Sequence, residues 1–277
     1  QGLTSLLNKS LLKVQQDISQ DSHRYVLPGV FREFGSEVLD KDQAAGLSRR
    51  HAEYYLSLLE SGIQTPSERL ALELGNLRVA LGWAIASGAG ELALRLSVGM
   101  YDPWQRLGIL REGKQRLFEA LDATKGLEMP LRARGLYCAG ALVDWLGEPL
   151  VAQGLYRDSL RLYEALEDTA GTISVLLPLA SALINQGDFV EGRSRSEQAL
   201  SMAREHRNPL DIAIALSNLG MVAIYQGEAH AARRFYEEML SVSQAEELVS
   251  AMGWAFTGLS WVELLQGNYE AAEQYIN

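Results

Sequence analysis

No apolar run in this sequence reaches the ~18 residues that a membrane-spanning helix needs. Residues 1–30 also lack the charge, apolar block and cleavage site of a signal peptide. The single cysteine, Cys138, can form no internal disulfide, a usage that fits a reducing compartment and predicts a cytoplasmic protein. With no histidine nearby in sequence to activate it, Cys138 reads as a small apolar packing residue. The four histidines, His23, His51, His206 and His230, show no metal-ligand spacing. G-x-S-x-G, H-E-x-x-H and C-x-x-C are all absent. Adjacent acids such as Glu237-Glu238 and Glu246-Glu247 diverge around a helix, so they read as solvated faces. An enzyme has no residue to stand on here. Positive charge is scarce too: the formal net charge is −10, and residues 61–277 carry 18 basic residues against 27 acidic ones. Counterion release on nucleic acid requires the opposite balance, so direct nucleic-acid binding by this segment is not expected.

One phrase resembles a phosphate-binding loop. Gly108-Ile109-Leu110-Arg111-Glu112-Gly113-Lys114-Gln115 satisfies G-x-x-x-x-G-K, but Gln115 stands where a magnesium-binding Ser or Thr is required. The preceding Asp102-Pro103-Trp104-Gln105-Arg106-Leu107 is no buried strand, so no helix dipole is aimed at a phosphate. The phrase reads as a repeat turn.

What the sequence does have is periodicity. Gly147, Gly187, Gly227 and Gly267 stand 40 residues apart, each opening a near-copy of one phrase: LGEPLVA, QGDFVEG, QGEAHAA and QGNYEAA. Small residues follow at a fixed offset (Ala152, Gly192, Ala232, Ala272), then Leu160, Leu200 and Leu240. Seven residues before each glycine, Gly140, Ala180, Gly220 and Ser260 are small again. Gly108 to Leu121 repeats the spacing in a divergent unit. Such a period marks stacked supersecondary units that bury their faces against one another. The G-x-aromatic-x-x-small phrase at Gly187–Gly192 and Gly267–Ala272 favours lengthened tetratricopeptide-like helix pairs over HEAT or armadillo units. The fold class is therefore expected to be all-α, a right-handed superhelix of helix pairs.

The N-terminal stretch differs. A short helix over residues 2–12 runs towards strand-like pieces Leu11–Val14 and Arg24–Leu27, which flank the polar stretch QQDISQDSH. Val30, Phe31, Phe34 and Val38 then follow helical spacing. Helix, ribbon, helix predicts the tail of a winged-helix unit whose first helices would precede Gln1. Residues 41–60 predict a helix with His51, Tyr54, Tyr55, Leu58 and Leu59 inward, broken over residues 61–67. The expected organisation is 1–40 partial winged helix, 41–131 linking helices and a divergent repeat, and 132–277 regular repeats. The last unit stops short of its expected leucine, which predicts a chain that is cut or continues, with end-to-end association or fraying.

LLNKSLLKV, HRYVLPGVFREFGSEVL, SRRHAEYYLSLLE, GNLRVALGWAIASG and LREGKQRLFEAL together resemble the region after the nucleotide-binding domain in NB-ARC-type STAND signalling ATPases. These are large bacterial transcriptional regulators with a winged helix followed by tetratricopeptide-like repeats. The Asn76-Leu77-Arg78, Ala80-Leu81, Trp83 block carries the likeness best, while Pro28 departs from the polar residue or His often found there. The resemblance implies no cofactor in this segment, with ATP or ADP held by a separate nucleotide-binding domain.

Comparing the repeats isolates a candidate surface. One face of each first helix is uniformly apolar or small: Leu136, Leu176, Leu216, Phe256, and Ala139, Leu179, Leu219, Leu259. The face offset by one residue varies: Tyr137-Ala141-Trp145, Leu177-Ser181-Asn185, Ser217-Met221-Tyr225, Thr257-Trp261-Leu265. The resemblance places this second face on the concave wall. Arg134, Tyr137, Asp144, Trp145, Ser181, Asn185, Met221, Tyr225, Trp254 and Trp261 are its candidate binding residues, since rigid aromatics among small polar groups suit recognition. The expected function is that of a non-catalytic sensor, binding an inducer, peptide or protein and relaying it to the nucleotide domain. The alternative is a scaffold for docking or self-association without a small ligand. A closed pocket among Tyr137, Trp145, Tyr225 and Trp261 would favour the sensor.

Overall fold

The computed structural model describes residues 2–16, 23–61, 67–124 and 129–275. Among them are fifteen helices and one two-stranded sheet. Helix α1 (Gly2–Asn8) leads to strands β1 (Lys13–Gln16) and β2 (His23–Val26), which pair antiparallel with Lys13 opposite Val26 and Gln16 opposite His23. Residues 17–22, most of the predicted ribbon tip, and 62–66, most of the predicted break, lie outside the described residues. Helix α2 (Gly29–Val38) follows, with Val30, Phe34 and Val38 exposed along one side.

Helices α3 (Lys41–Glu60), α4 (Ser67–Ala86), α5 (Gly90–Gly99), α6 (Tyr101–Arg106) and α7 (Leu110–Ala123) form the first packed part. Asp40 caps α3 by accepting from the Gln43 amide at 2.8 Å. Of the face the spacing predicts, Tyr55 is buried and His51, Leu58 and Leu59 are half-buried, but Tyr54 is not. Ala52, Tyr55 and Leu56 are buried, whereas Tyr54 is 62% exposed. Tyr55 sets this rotation: its hydroxyl donates to Glu73 Oε2 on α4 at 2.7 Å, and Tyr54, one residue earlier, then points about 100° away. Asn76 donates to the same carboxylate at 2.9 Å, Leu77 is buried, and Arg78 bonds Glu112 at 2.7 Å. The Asn-Leu-Arg block is thus a packing and pairing element.

The regular units are helix pairs: α8 (Met129–Trp145) with α9 (Pro149–Ala165), and α10 (Thr169–Asn185) with α11 (Phe189–His206). Next come α12 (Pro209–Tyr225) with α13 (Ala229–Ala245), then α14 (Val249–Leu265) with α15 (Tyr269–Gln274). Each turn glycine is left-handed, with φ from 69° at Gly108 to 82° at Gly187, a region open to glycine at little cost. The amides around each turn close a Schellman motif: Gly147 N bonds Asp144 O at 2.9 Å and Glu148 N bonds Val143 O at 3.1 Å. Gly187, Gly227 and Gly267 repeat it.

First helices of neighbouring units pack directly on one another, α10 on α12 and α12 on α14. Second helices meet mainly through the first helix between them, so the first helices form the inner layer of the superhelix. The predicted packing face is buried from Leu136 to Leu259, with Phe256 half-buried against Tyr275. Two core clusters run the length of the array and are bridged by Tyr101, Tyr137, Leu155 and Leu162.

A ladder of polar contacts joins unit to unit. Six residues after successive turn glycines stand Lys114, Gln153, Arg193 and Arg233, each reaching towards the next unit's turn. Lys114 pairs with Glu148 at 2.5 Å, and Gln153 donates to the Ala182 carbonyl at 3.4 Å. Arg193 bonds Gln226 and Glu228 at 2.6 and 2.7 Å, and Arg233 bonds Glu263 and Gln266 at 2.6 and 3.0 Å. The Arg193–Glu228 pair is partly exposed, and such pairs contribute only about 0–1 kcal/mol, so it orients the units more than it stabilises them.

Candidate functional site

Between α12 and α14 the inner layer opens into a groove of about 380 Å³. Met221 and Tyr225 line it from α12, and Trp254 and Trp261 from α14. These are single helical faces, i and i+4 on one wall and i and i+7 on the other. The floor is made where Gly258 lies on the ring of Tyr236 from α13. Gly220 approaches the same ring from α12, and a Cβ there would stand 2.6 Å from it. Ser217 and Thr257 add hydroxyls, and among the described residues no charged side chain lines the groove. Tyr225 is held from behind by Phe189, stacked at 5.5 Å between ring centroids. Trp254 and Trp261 remain 50% and 56% exposed, a large apolar area left to water.

The structure thus brings four of the ten predicted residues together: Met221, Tyr225, Trp254 and Trp261. Ser181 and Asn185 lie on α10, outside the groove lining. The others lie on α8. There, Tyr137 sits between Tyr101 and Tyr156, at 6.2 and 6.3 Å, and the Arg134 guanidinium stands 4.9 Å from its centroid. Burial pushes all three phenols above their ordinary range. Trp145, at the end of α8, is 73% exposed. A single pocket among Tyr137, Trp145, Tyr225 and Trp261 does not form. Helix axes pack about 8–10 Å apart, so α8 and α14, with α10 and α12 between them, cannot converge on one small ligand.

The inner-face comparison passes over Ile224, Gly258 and Tyr236, the last because it comes from an outer helix. The signal for Tyr236 is in the sequence: nine residues after Gly227, it faces Gly220, as Tyr156, nine after Gly147, faces Gly140. The phosphate-loop phrase dissolves into structural duties. Gly108 is a left-handed turn, Lys114 pairs with Glu148, and a Cβ on Gly113 would meet the Trp104 ring at 2.7 Å. Cys138 is buried and its thiol is pushed up to about 12 by desolvation, which leaves it protonated and inert.

Asp144, half-buried beside this face, has its carboxyl raised above the ordinary 3.8 by desolvation. The folded chain therefore keeps this proton at pH values where the unfolded chain has lost it, and stability falls as pH rises through that window. Asp144→Asn is expected to gain stability at pH 7 and to match the parent near pH 3. Urea midpoints at the two pH values check this, and an equal shift at both would assign the effect to something other than ionisation.

Comparison with known proteins places these features. The tetratricopeptide repeat family matches residues 171–245 and 211–277. Proteins of Mycobacterium tuberculosis (strain H37Rv) and Mycobacterium bovis, both named as HTH-type transcriptional regulators, are 27% identical over 255 residues. The match takes in 88% of this chain but 24% of theirs, so the chain spans about a quarter of the length of these relatives. Among solved structures, a STAND protein with a tetratricopeptide repeat sensor from Pyrococcus horikoshii superposes with a TM-score of 0.57 at 15% identity. It covers 99% of this chain and 44% of that one. The apo form of RapI gives a TM-score of 0.63 at 14% identity, over 89% of this chain and 67% of that one. BtubC from P. vanneervenii gives 0.60 at 19% identity, over 77% and 89%. At these identities the likeness is one of fold. Among the described residues, no helix is long and apolar enough to cross a membrane.

Proposed function

We propose that this chain is the non-catalytic sensor and interaction segment of a larger STAND-type protein acting in transcription regulation. Ligand binding on the inner face of the repeat array would bias a nucleotide-binding domain elsewhere in that protein. In this reading α1, the hairpin and α2 are the tail of a winged-helix unit, whose exposed Val30, Phe34 and Val38 face a neighbouring domain. Two comparisons support it: the likeness to HTH-type regulators four times as long, and the superposition of nearly the whole chain on a STAND protein with a repeat sensor. The observation that carries the ligand-binding part is the α12–α14 groove. Two neighbouring units direct Tyr225, Trp254 and Trp261 into one opening, at positions where packing demands no aromatic. A small number of aromatic anchors commonly supplies most of a recognition energy.

The test is a screen of metabolites, sugars and short peptides, read by tryptophan emission and by melting temperature. A ligand that binds only the folded state must raise the melting point. A hit is expected to lose at least tenfold in affinity in Trp254→Ala and in Trp261→Ala, whose exposed rings can be removed without opening the core. Hits that ignore both substitutions would move the site elsewhere. A blank screen beside clean capture of one partner protein would make the array a docking scaffold.

A further inference from the structure

We infer that the group entering the α12–α14 groove is an alkylated ammonium, such as the head of a choline-like molecule or a trimethylated lysine side chain. This rests on the reading of the groove as the ligand site and names the chemistry it selects. The wall presents three exposed aromatic rings, Tyr225, Trp254 and Trp261, with the Met221 thioether, over a floor in which the Tyr236 ring is buried. Ring faces carry the negative end of the aromatic quadrupole and attract cations held over them. Among the described residues no Lys, Arg or His lines the groove, and the chain's net charge is −10, so an anion meets neither a counter-charge nor a favourable field. Small metal cations are excluded on other grounds: they demand several oxygen ligands, and the groove offers the hydroxyls of Ser217, Thr257 and the tyrosines but no carboxylate. A primary ammonium brings three donors that need partners. A fully alkylated one brings none, presents methyl groups to the rings, and sheds its water at low cost. The volume of about 380 Å³ lies near the lower end for ligand sites and suits a compact head group.

A neutral apolar group of the same shape competes on buried area alone, which makes the charge testable. Choline and its uncharged carbon isostere, 3,3-dimethylbutan-1-ol, would be titrated against the chain by tryptophan fluorescence. Choline is expected to bind at least tenfold tighter than the isostere, and to weaken as salt screens the chain's negative field. Trp254→Ala and Trp261→Ala are each expected to weaken it at least fivefold, with circular dichroism confirming that both variants fold. A peptide bearing trimethyllysine, set against the same peptide with unmodified lysine, separates a protein-borne source from a free metabolite. An isostere that binds as well as choline overturns the cation preference while leaving the groove a ligand site. If neither binds, the alkylammonium proposal fails outright, and the wider screen then decides whether the groove binds anything.

Discussion

Trp104→Ala is expected to cost about 3–5 kcal/mol and to unfold the N-terminal part of the array ahead of the rest. Trp104 is fully buried in α6, where its ring packs on Gly113 of α7, close to Leu142 of α8. It therefore joins the divergent unit to the first regular one, and its removal leaves a cavity the size of an indole. In a stacked array each unit contacts only its neighbours, so the loss stays local. Hydrogen exchange should show α5, α6 and α7 losing protection while α12 and α13 keep theirs. A single cooperative transition displaced as a whole would refute this. Trp104→Phe provides the control. The indole N–H is buried with no hydrogen-bond partner among the described residues, a state that costs about 1–3 kcal/mol, so phenylalanine gives up ring area but removes that penalty. Its net change should lie within about 1 kcal/mol of zero.

The second large effect compares one substitution at two places on the same helix. Glycine to alanine inside a helix ordinarily gains up to about 1 kcal/mol, because alanine has less backbone freedom to lose. Gly253 of α14 has open space where its Cβ would stand, and Gly253→Ala should show that gain. Five residues on, a Cβ at Gly258 would press well inside van der Waals distance of three ring atoms of Tyr236. Gly258→Ala is therefore expected to lose about 1–3 kcal/mol by overpacking, and to tilt the floor of the groove as Tyr236 gives way. Ligand affinity should fall with it, although residue 258 bears no recognition group. Urea denaturation of the two variants decides the matter. If both gain, then Tyr236 swings aside freely and the floor is softer than its packing implies.

The repeat was legible in the sequence because glycine recurs at one turn of each unit and small residues recur at its close contacts, both at a fixed spacing. A left-handed turn and a helix crossing against an aromatic ring both select glycine, and glycine is conspicuous. The opposite turns of each unit were not legible. Glu167, Arg207 and Glu247 adopt φ of 53°, 53° and 55° at the same 40-residue spacing, but side chains are tolerated there and no glycine marks them. The candidate site was half legible for a related reason. Inner-face residues could be listed from the repeat offset, and Met221, Tyr225, Trp254 and Trp261 do converge. Which members of that list share one opening depends on helix spacing, and sequence offset does not encode distance across the array. Tyr54 was misplaced because two adjacent tyrosines fit the apolar stripe almost equally. The bond from Tyr55 to Glu73, 18 residues away, decides between them.

The unit-to-unit ladder bears on how such a protein can change over generations. Each unit offers a donor side chain to the turn ahead of it and an acceptor turn to the unit behind. A copy inserted by tandem duplication would find both partners already waiting at its borders. Its packing residues would fit at once, since helices α8 to α14 are each 17 or 18 residues long and the same glycine turn recurs within each pair. The inner-face positions carry little of that burden, so they are free to diverge afterwards. New specificity can then arise in a duplicated unit while its neighbour keeps the old one.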